Sequence, residues 1–392
     1  MANRYAREKR TPYVKPVERI ELDESHIKRR IVLAVLFAVI GLAAFSYAII
    51  QFRKAEPKWT EIEVDAASGV NLSVEFTLRY HLGRGTMSPT AEKKQLVNLY
   101  STEMSELFQL YSATKFVNNI NNLYEINRRP NEEIEVDPRL YRALKVSAEQ
   151  GGRILYYGPY YEYYNSLFFA GEDYLAEYFD PARSREAGEY FEELSRFIRD
   201  PEAVRMEFPA ENKVVLRISD QYLSYAKEAG IEVFADLSMM QNAFAADEVC
   251  ERFRSRGLIN GYLVSDDGFI VNLCSDAEMN FEEYTYSDGK AAVRQSWSYT
   301  GARNIVTLRS FPLKKADLVR CYVYEDGSLV SSYINDRGLQ ASRFDTLSAW
   351  SETKGCAEIF FALLPYKTGE KGEKSLEEVS EELLKDGITV FQ

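Results

Sequence analysis

The sequence predicts a mixed α+β fold preceded by one transmembrane helix. Three observations carry this. From Glu61 onward, segments with the two-residue period of strands alternate with segments of helical period. One uncharged stretch, Ile31 to Phe52, stands out near the N-terminus. Aromatic residues are abundant, with 27 Tyr and 22 Phe in 392 residues, enough apolar mass for one continuous core.

The uncharged stretch reads IVLAVLFAVIGLAAFSYAIIQF. Its 22 residues, at about 1.5 Å each, match the hydrocarbon thickness of a bilayer. It is too long for the apolar region of a secretory signal, although Ala43, Ala44 and Ala48 leave a cleaved signal peptide as the alternative. Lys28, Arg29 and Arg30 abut its N-terminal side and outweigh Arg53, Lys54 and Lys58, which predicts an N-terminus inside the cell. The expected organisation is a cytoplasmic tail over 1–30, a transmembrane helix over 31–52, a linker over 53–60 and an extracytoplasmic domain over 61–392. The protein would be a single-pass protein of the cell membrane.

Net charge is -12, and the first 30 residues carry about +4 of their own, so the remainder is strongly acidic. An acidic body without a basic patch argues against nucleic acid as a partner. Cys250, Cys274, Cys321 and Cys356 form no C-x-x-C pair, which argues against zinc; they are either disulfide partners or small buried hydrophobes. With only His26 and His81, a multi-histidine metal site or a histidine triad has no basis.

TEIEV (60–64) and NLSVEFTLRYHL (71–82) read as strands. The segment 88–112 reads as a helix capped by Ser88 or Thr90, with Pro89 at its start. Asp137 and Pro138 open a second helix that Gly151 and Gly152 close. The tyrosine-rich run from Arg153 to Phe179 is either core-edge packing or a ligand wall. Asp180-Pro181 opens another helix, and VVLRIS (214–219) and LSYAKEAG (223–230) follow as strand and helix. IEVFADLS (231–238) reads as a buried strand leading into a helix with Ala246, Val249, Cys250 and Phe253 on one face. Gly257 ends that helix, and Asp266-Asp267-Gly268 turns a hairpin between LINGYLVS (258–265) and FIVNL (269–273). Further strands or apolar segments run from Val293 to Tyr366, and a charged helix lies near the C-terminus.

This order of elements resembles the ApbE family, the FAD:protein FMN transferases, over roughly residues 60–365. SGVNLSVEF (68–76) falls where the family has Met-Gly-Thr and a strand. NNLYEIN, ending in Asn127, resembles its Ser-to-Asn segment, VDPRLYRALKVSAE its Val-x-Pro helix, and YYGPYYEYY its Gly-Pro aromatic segment. The opening of the helix after Asp236 is similar to Leu-Asp-x-Gly-Gly-x-Ala-Lys-Gly-Tyr-Ala-x-Asp, keeping Asp236, Phe244, Ala245, Asp247, Gly257 and Leu258. The resemblance implies a flavin-transferase fold and a remnant cofactor site at Asn127, Asp236, Gln241, Asn242 and Asp247.

Family members bind FAD and magnesium and move FMN to a Thr or Ser of an acceptor protein. Attack on a pyrophosphate needs a hard cation and a backbone that closely approaches the phosphates. Here the family's two glycines fall on Ser238 and Met239, its metal-contacting alanine on Gln241, its lysine on Asn242 and the next glycine on Ala243. The later Gly-Gly becomes Asp266 and Asp267, which adds negative charge. Asn335 stands for the Asp of His-Ile-Ile-Asp-Pro, and Ala357 and Phe361 for the metal-holding Asp and Thr.

These replacements predict a domain without catalytic or metal-ligating residues and without a bound cofactor. Such a domain would lack FMN transferase activity and serve as a binding or scaffolding partner of a flavoprotein or other envelope protein. Two alternatives stand beside it. One is an active, magnesium-dependent FAD:protein FMN transferase with ligands relocated to Asp336 and Glu358. The other is an unrelated membrane-tethered receptor or interaction domain.

Overall fold

A computed structural model describes residues 27–53, 58–63, 75–287, 289–340 and 344–391. The tail over 1–26, residues 54–57 of the expected linker and the 64–74 part of the first expected strands lie outside the described residues. The chain divides into two compact units, Met1–Glu56 and Pro57–Gln392.

The first unit contains α1 (Ile27–Arg53). Among the described residues no helix is long and apolar enough to cross a membrane. The expected span falls only partly within them, since side chains are described continuously over 31–44.

The second unit begins with β1 (Lys58–Glu61) and β2 (Phe76–Leu82). α2 (Pro89–Tyr111) follows, with Ser88 Oγ accepting the Ala91 N–H as its N-cap. α3 (Leu123–Arg128) and β3 (Glu133–Glu135) lead to α4 (Pro138–Gln150), which Asp137 caps through the Arg139 N–H at 2.8 Å. The tyrosine-rich run folds into α5 (Gly158–Phe168) and α6 (Asp173–Phe179). α7 (Arg185–Arg199) starts at Ser184 and not at Asp180-Pro181. The Ser184 hydroxyl takes the Ala187 N–H, while Asp180 turns the chain just before it.

β4 (Val204–Ala210), β5 (Lys213–Ile218) and α8 (Asp220–Ala229) come next, and α8 ends on the left-handed Gly230. The stretch 231–238, read from sequence as a strand, joins no sheet. α9 (Gln241–Ser255) is followed by the hairpin of β6 (Gly261–Ser265) and β7 (Phe269–Asn272), turned at Gly268 with φ +104°. β8 (Glu278–Ser287) and β9 (Lys290–Thr300) form a separate long hairpin, and β9 is largely exposed. After β10 (Arg303–Arg309) come the short pair β11 (Cys321–Val323) and β12 (Leu329–Ser331). β13 (Thr346–Ser351), α10 (Cys356–Lys367), α11 (Leu376–Leu384) and β14 (Thr389–Val390) complete the unit.

A seven-stranded antiparallel sheet, ordered β1-β2-β6-β7-β10-β13-β14, forms the centre. One continuous core lies between it and the helices, with Val249 and Phe253 of α9 and Ile359 and Phe360 of α10 buried against Leu263, Val271 and Val306. A small second cluster, Phe281, Ile305 and Phe391, seats the β8–β9 hairpin, with Trp297 and Trp350 packed against it. All four cysteines are free thiols, and all are buried.

The tyrosines of α5 resolve mainly as packing. Tyr160 stacks on Phe191 at 4.9 Å, and the Tyr164 hydroxyl donates to the Gly338 carbonyl at 2.9 Å. These rings hold the loop after β12 closely. Gly338 sits at φ +74°, and an added Cβ there would lie 2.8 Å from Tyr160 Cε1 and would also collide with Phe191. We therefore expect Gly338→Ala to destabilise the domain by about 2–4 kcal/mol, from left-handed strain plus overpacking, as read from the midpoint of urea unfolding.

Candidate functional site

The chain enters α9 through a corner at 234–241 that carries no ladder hydrogen bonds, so its backbone needs partners from elsewhere. One buried amide supplies them. Asn127 Oδ1 accepts the N–H groups of Phe234 (3.0 Å) and Ala235 (2.9 Å), and its Nδ2 donates to the Ala235 carbonyl at 2.8 Å. The Asp236 N–H donates to the Leu155 carbonyl at 2.8 Å. This is why an extended apolar segment here is not a strand: a side chain replaces the neighbouring strand. Asn127 is a structural clamp behind the corner.

Asp236 turns back on its own loop, accepting the Ser238 N–H at 2.9 Å and the Ser238 hydroxyl at 2.7 Å. Burial raises its pKa above the ordinary carboxylate value, while those Ser238 bonds oppose the shift. Of the two methionines, Met240 lies wholly in the core, where it receives the Ser147 hydroxyl at its sulfur, and Met239 is half-buried. Gln241 opens α9.

Beneath that first turn lies a buried polar cluster that sequence reasoning missed. Asn242 is fully buried, and its Nδ2 donates to Glu75 Oε2 (2.7 Å) and Asp267 Oδ2 (2.9 Å). Two carboxylates facing one end of an amide require that end to be the donor. Asn242 Oδ1, at the other end, is buried without a partner. Arg320 closes the cluster at 2.6 Å from Glu75 and 3.7 Å from Asp267. Ser265 Oγ donates to Asp267 Oδ1 at 2.5 Å. Asp266, beside it, pairs with Lys314.

Burial raises Asp267, and Arg320 opposes that shift. Burial works against the Arg320 charge too, but Asp267 and Glu75 outweigh it and hold its pKa above the usual value. The corner thus has a cation after all, supplied from just before β11 and not from the lysine position of α9. The available signal was the Asp266-Asp267 pair in a tight turn, since a carboxylate buried there demands a counter-charge.

Above the cluster opens a cleft of about 450 Å³. Tyr111, Tyr161, Phe168, Asp236, Gln241 and Arg320 are among its walls. The Tyr111 hydroxyl is buried and unpartnered. Of the five residues expected at a remnant site, Asp236 and Gln241 reach this cleft, Asn242 lies beneath it and Asn127 lies behind it. Asp247 does neither: two turns along α9, it accepts the N–H groups of Cys356 (2.7 Å) and Ala357 (2.9 Å) and so caps α10. His81 packs on Trp59, ring centroids 5.2 Å apart, in the β1–β2 pair.

Sequence comparison matches the chain to no family model and to no curated protein. Solved structures do match. The ApbE protein of Thermotoga maritima superposes with a TM-score of 0.56 at 13% identity, covering 85% of this chain and 93% of that one. The flavin transferase ApbE of Vibrio cholerae gives 0.52 at 15% identity, with 81% and 92% covered. The fold is ApbE-like. At these identities the likeness is one of fold.

The residues of the ApbE-like domain fit a magnesium–FAD site poorly. Ala357 and Phe361 bring no side-chain oxygen and are buried in the core. Glu358 is spent on Lys354 (2.9 Å) and the Gly355 N–H (3.1 Å), and Asp336 on Arg199 (2.9 Å). Among the described residues no group of three or more His, Cys, Asp or Glu is placed to hold a metal.

Asp247 gives a pH prediction. Burial pushes it up to about 6, against the two backbone N–H groups that hold it down. Its folded pKa lies above the ordinary value, so between about pH 4 and 6 the folded state holds more protons than the unfolded. Its contribution to stability falls as pH rises through that window. Asp247→Asn removes the titration, so the difference in unfolding free energy between variant and parent should move in the variant's favour from pH 4 to 6 in urea melts. A constant difference would refute the assignment.

Proposed function

We propose that this is a membrane-anchored, extracytoplasmic ApbE-like domain that lacks FMN transferase activity and serves as a binding or scaffolding partner of another envelope protein. The observation that carries the reading is the state of Asn242. The position corresponding to the family's lysine holds a neutral amide locked between Glu75 and Asp267, with Arg320 consumed by the same carboxylates. Phosphate binding requires unspent donors and close backbone approach. Here the donors are engaged inside the protein, and Met239 lines the space above them.

The anchor is supported by the uncharged run Ile31–Phe52 and by the helix α1 that covers it. At about 1.5 Å per residue, such a run is long enough for a bilayer. Lys28, Arg29 and Arg30 favour a cytoplasmic N-terminus.

Flavin fluorescence tests the first claim. Full-length protein titrated with FAD should show no saturable quenching below about 1 mM, with or without magnesium. Incubation with FAD and an acceptor carrying the family's Thr motif should leave no covalent FMN. Metal-dependent, sub-millimolar binding with label transfer would instead establish an active transferase. For the second claim, protease added to spheroplasts should digest the domain beyond residue 60, and full protection would reverse the topology.

A further inference from the structure

Farther along α9, away from the corner, lies a second cleft of about 620 Å³ between α4, α9, the start of β10 and the loop before α10. Both signs of charge line it: Arg142, Arg254 and Arg303 against Glu248, Glu251 and Glu352. The Arg142–Glu248 pair is tight at 2.6 Å, whereas Arg303–Glu352 and Arg254–Glu251 are loose, at 3.8 and 4.0 Å. Two polar groups in this wall have spare hydrogen-bonding capacity. Asn304 is 8% exposed and donates Nδ2 to the Lys354 carbonyl at 2.7 Å, but its Oδ1 is buried without a partner. Arg303 is held between the rings of Tyr299 and Trp350, 4.5 and 4.3 Å from their centroids, and its Nε is likewise buried and unpartnered. A buried acceptor left unpaired is costly, and a ligand that donates to it recovers that cost.

We propose that this cleft binds a zwitterionic small molecule of the amino-acid class, its ammonium received by Asn304 Oδ1 and Glu352 and its carboxylate by Arg254. A purely cationic or purely anionic ligand would meet like charge on half of the wall, whereas a zwitterion meets complementary groups on both sides. The loosely paired Arg254 and Glu352 exchange weak partners for strong ones when the ligand enters. Asp247 takes no part, because both its oxygens are spent on the first turn of α10. The site is independent of the corner, so this proposal and the reading of the corner stand or fall separately.

Isothermal titration of the full-length chain with glycine, glutamate, lysine and phenylalanine tests it, with acetate and methylammonium as half-ligand controls. We expect at least one amino acid to saturate the protein below about 1 mM, and neither control to compete. Arg254→Gln, at a surface position, and Asn304→Leu should each weaken that binding about tenfold, with folding confirmed by circular dichroism. The proposal is overturned by any of three results: no saturable binding up to about 10 mM, acetate or methylammonium binding as tightly as the amino acid, or affinity unchanged in the folded Arg254→Gln protein.

Discussion

Glu75 and Asp267 meet beneath the first turn of α9, and two carboxylates so close, one of them buried, require donors. Arg320 and Asn242 provide them. The four residues come from the start of β2, the β6–β7 turn, the first turn of α9 and the segment entering β11. Four distant parts of the chain are thereby fixed at one point. Removing Arg320 would leave the half-buried Glu75 and the buried Asp267 facing each other without their cation. The neutral amide of Asn242 fits this arrangement by donating to both acids, although its own oxygen remains unpaired.

Behind the corner, Asn127 performs a quieter version of the same task. Three hydrogen bonds from one side chain replace a strand's worth of backbone partners. Asp247 does so for the N-terminus of α10. Asn127 and Asp247 thus both bond the backbone of the domain itself. The fold itself uses both positions.

What could be read from the sequence follows the range of the interactions. Helices announced by local chemistry, Ser88 before α2, Asp137 with Pro138 at α4 and Gly257 after α9, fall where expected. The Asp266-Asp267-Gly268 hairpin does as well, because turn chemistry is local. Two local readings gave way. Asp180-Pro181 forms a turn and leaves the start of α7 to Ser184. The 231–238 segment has a strand's composition but finds Asn127 in place of a strand. At the corner, Asp236 and Gln241, expected from the resemblance at a remnant cofactor site, line the cleft. Glu75 and Arg320 were not legible, being 245 residues apart, since only the fold makes them neighbours.

The strand order has a consequence in time. β2 ends at Leu82, yet its partner β6 begins at Gly261, so α2 through α9 form a long excursion that must close before this pair can register. Closing large loops is slow, because the entropy is lost before any contact repays it. The Glu75–Arg320 contact spans a longer loop still. Contacts made after the folding barrier govern how fast a protein comes apart more than how fast it forms. Long-range contacts such as those of the polar cluster beneath α9 accordingly bear on how long the folded domain endures, apart from any part the corner plays in binding.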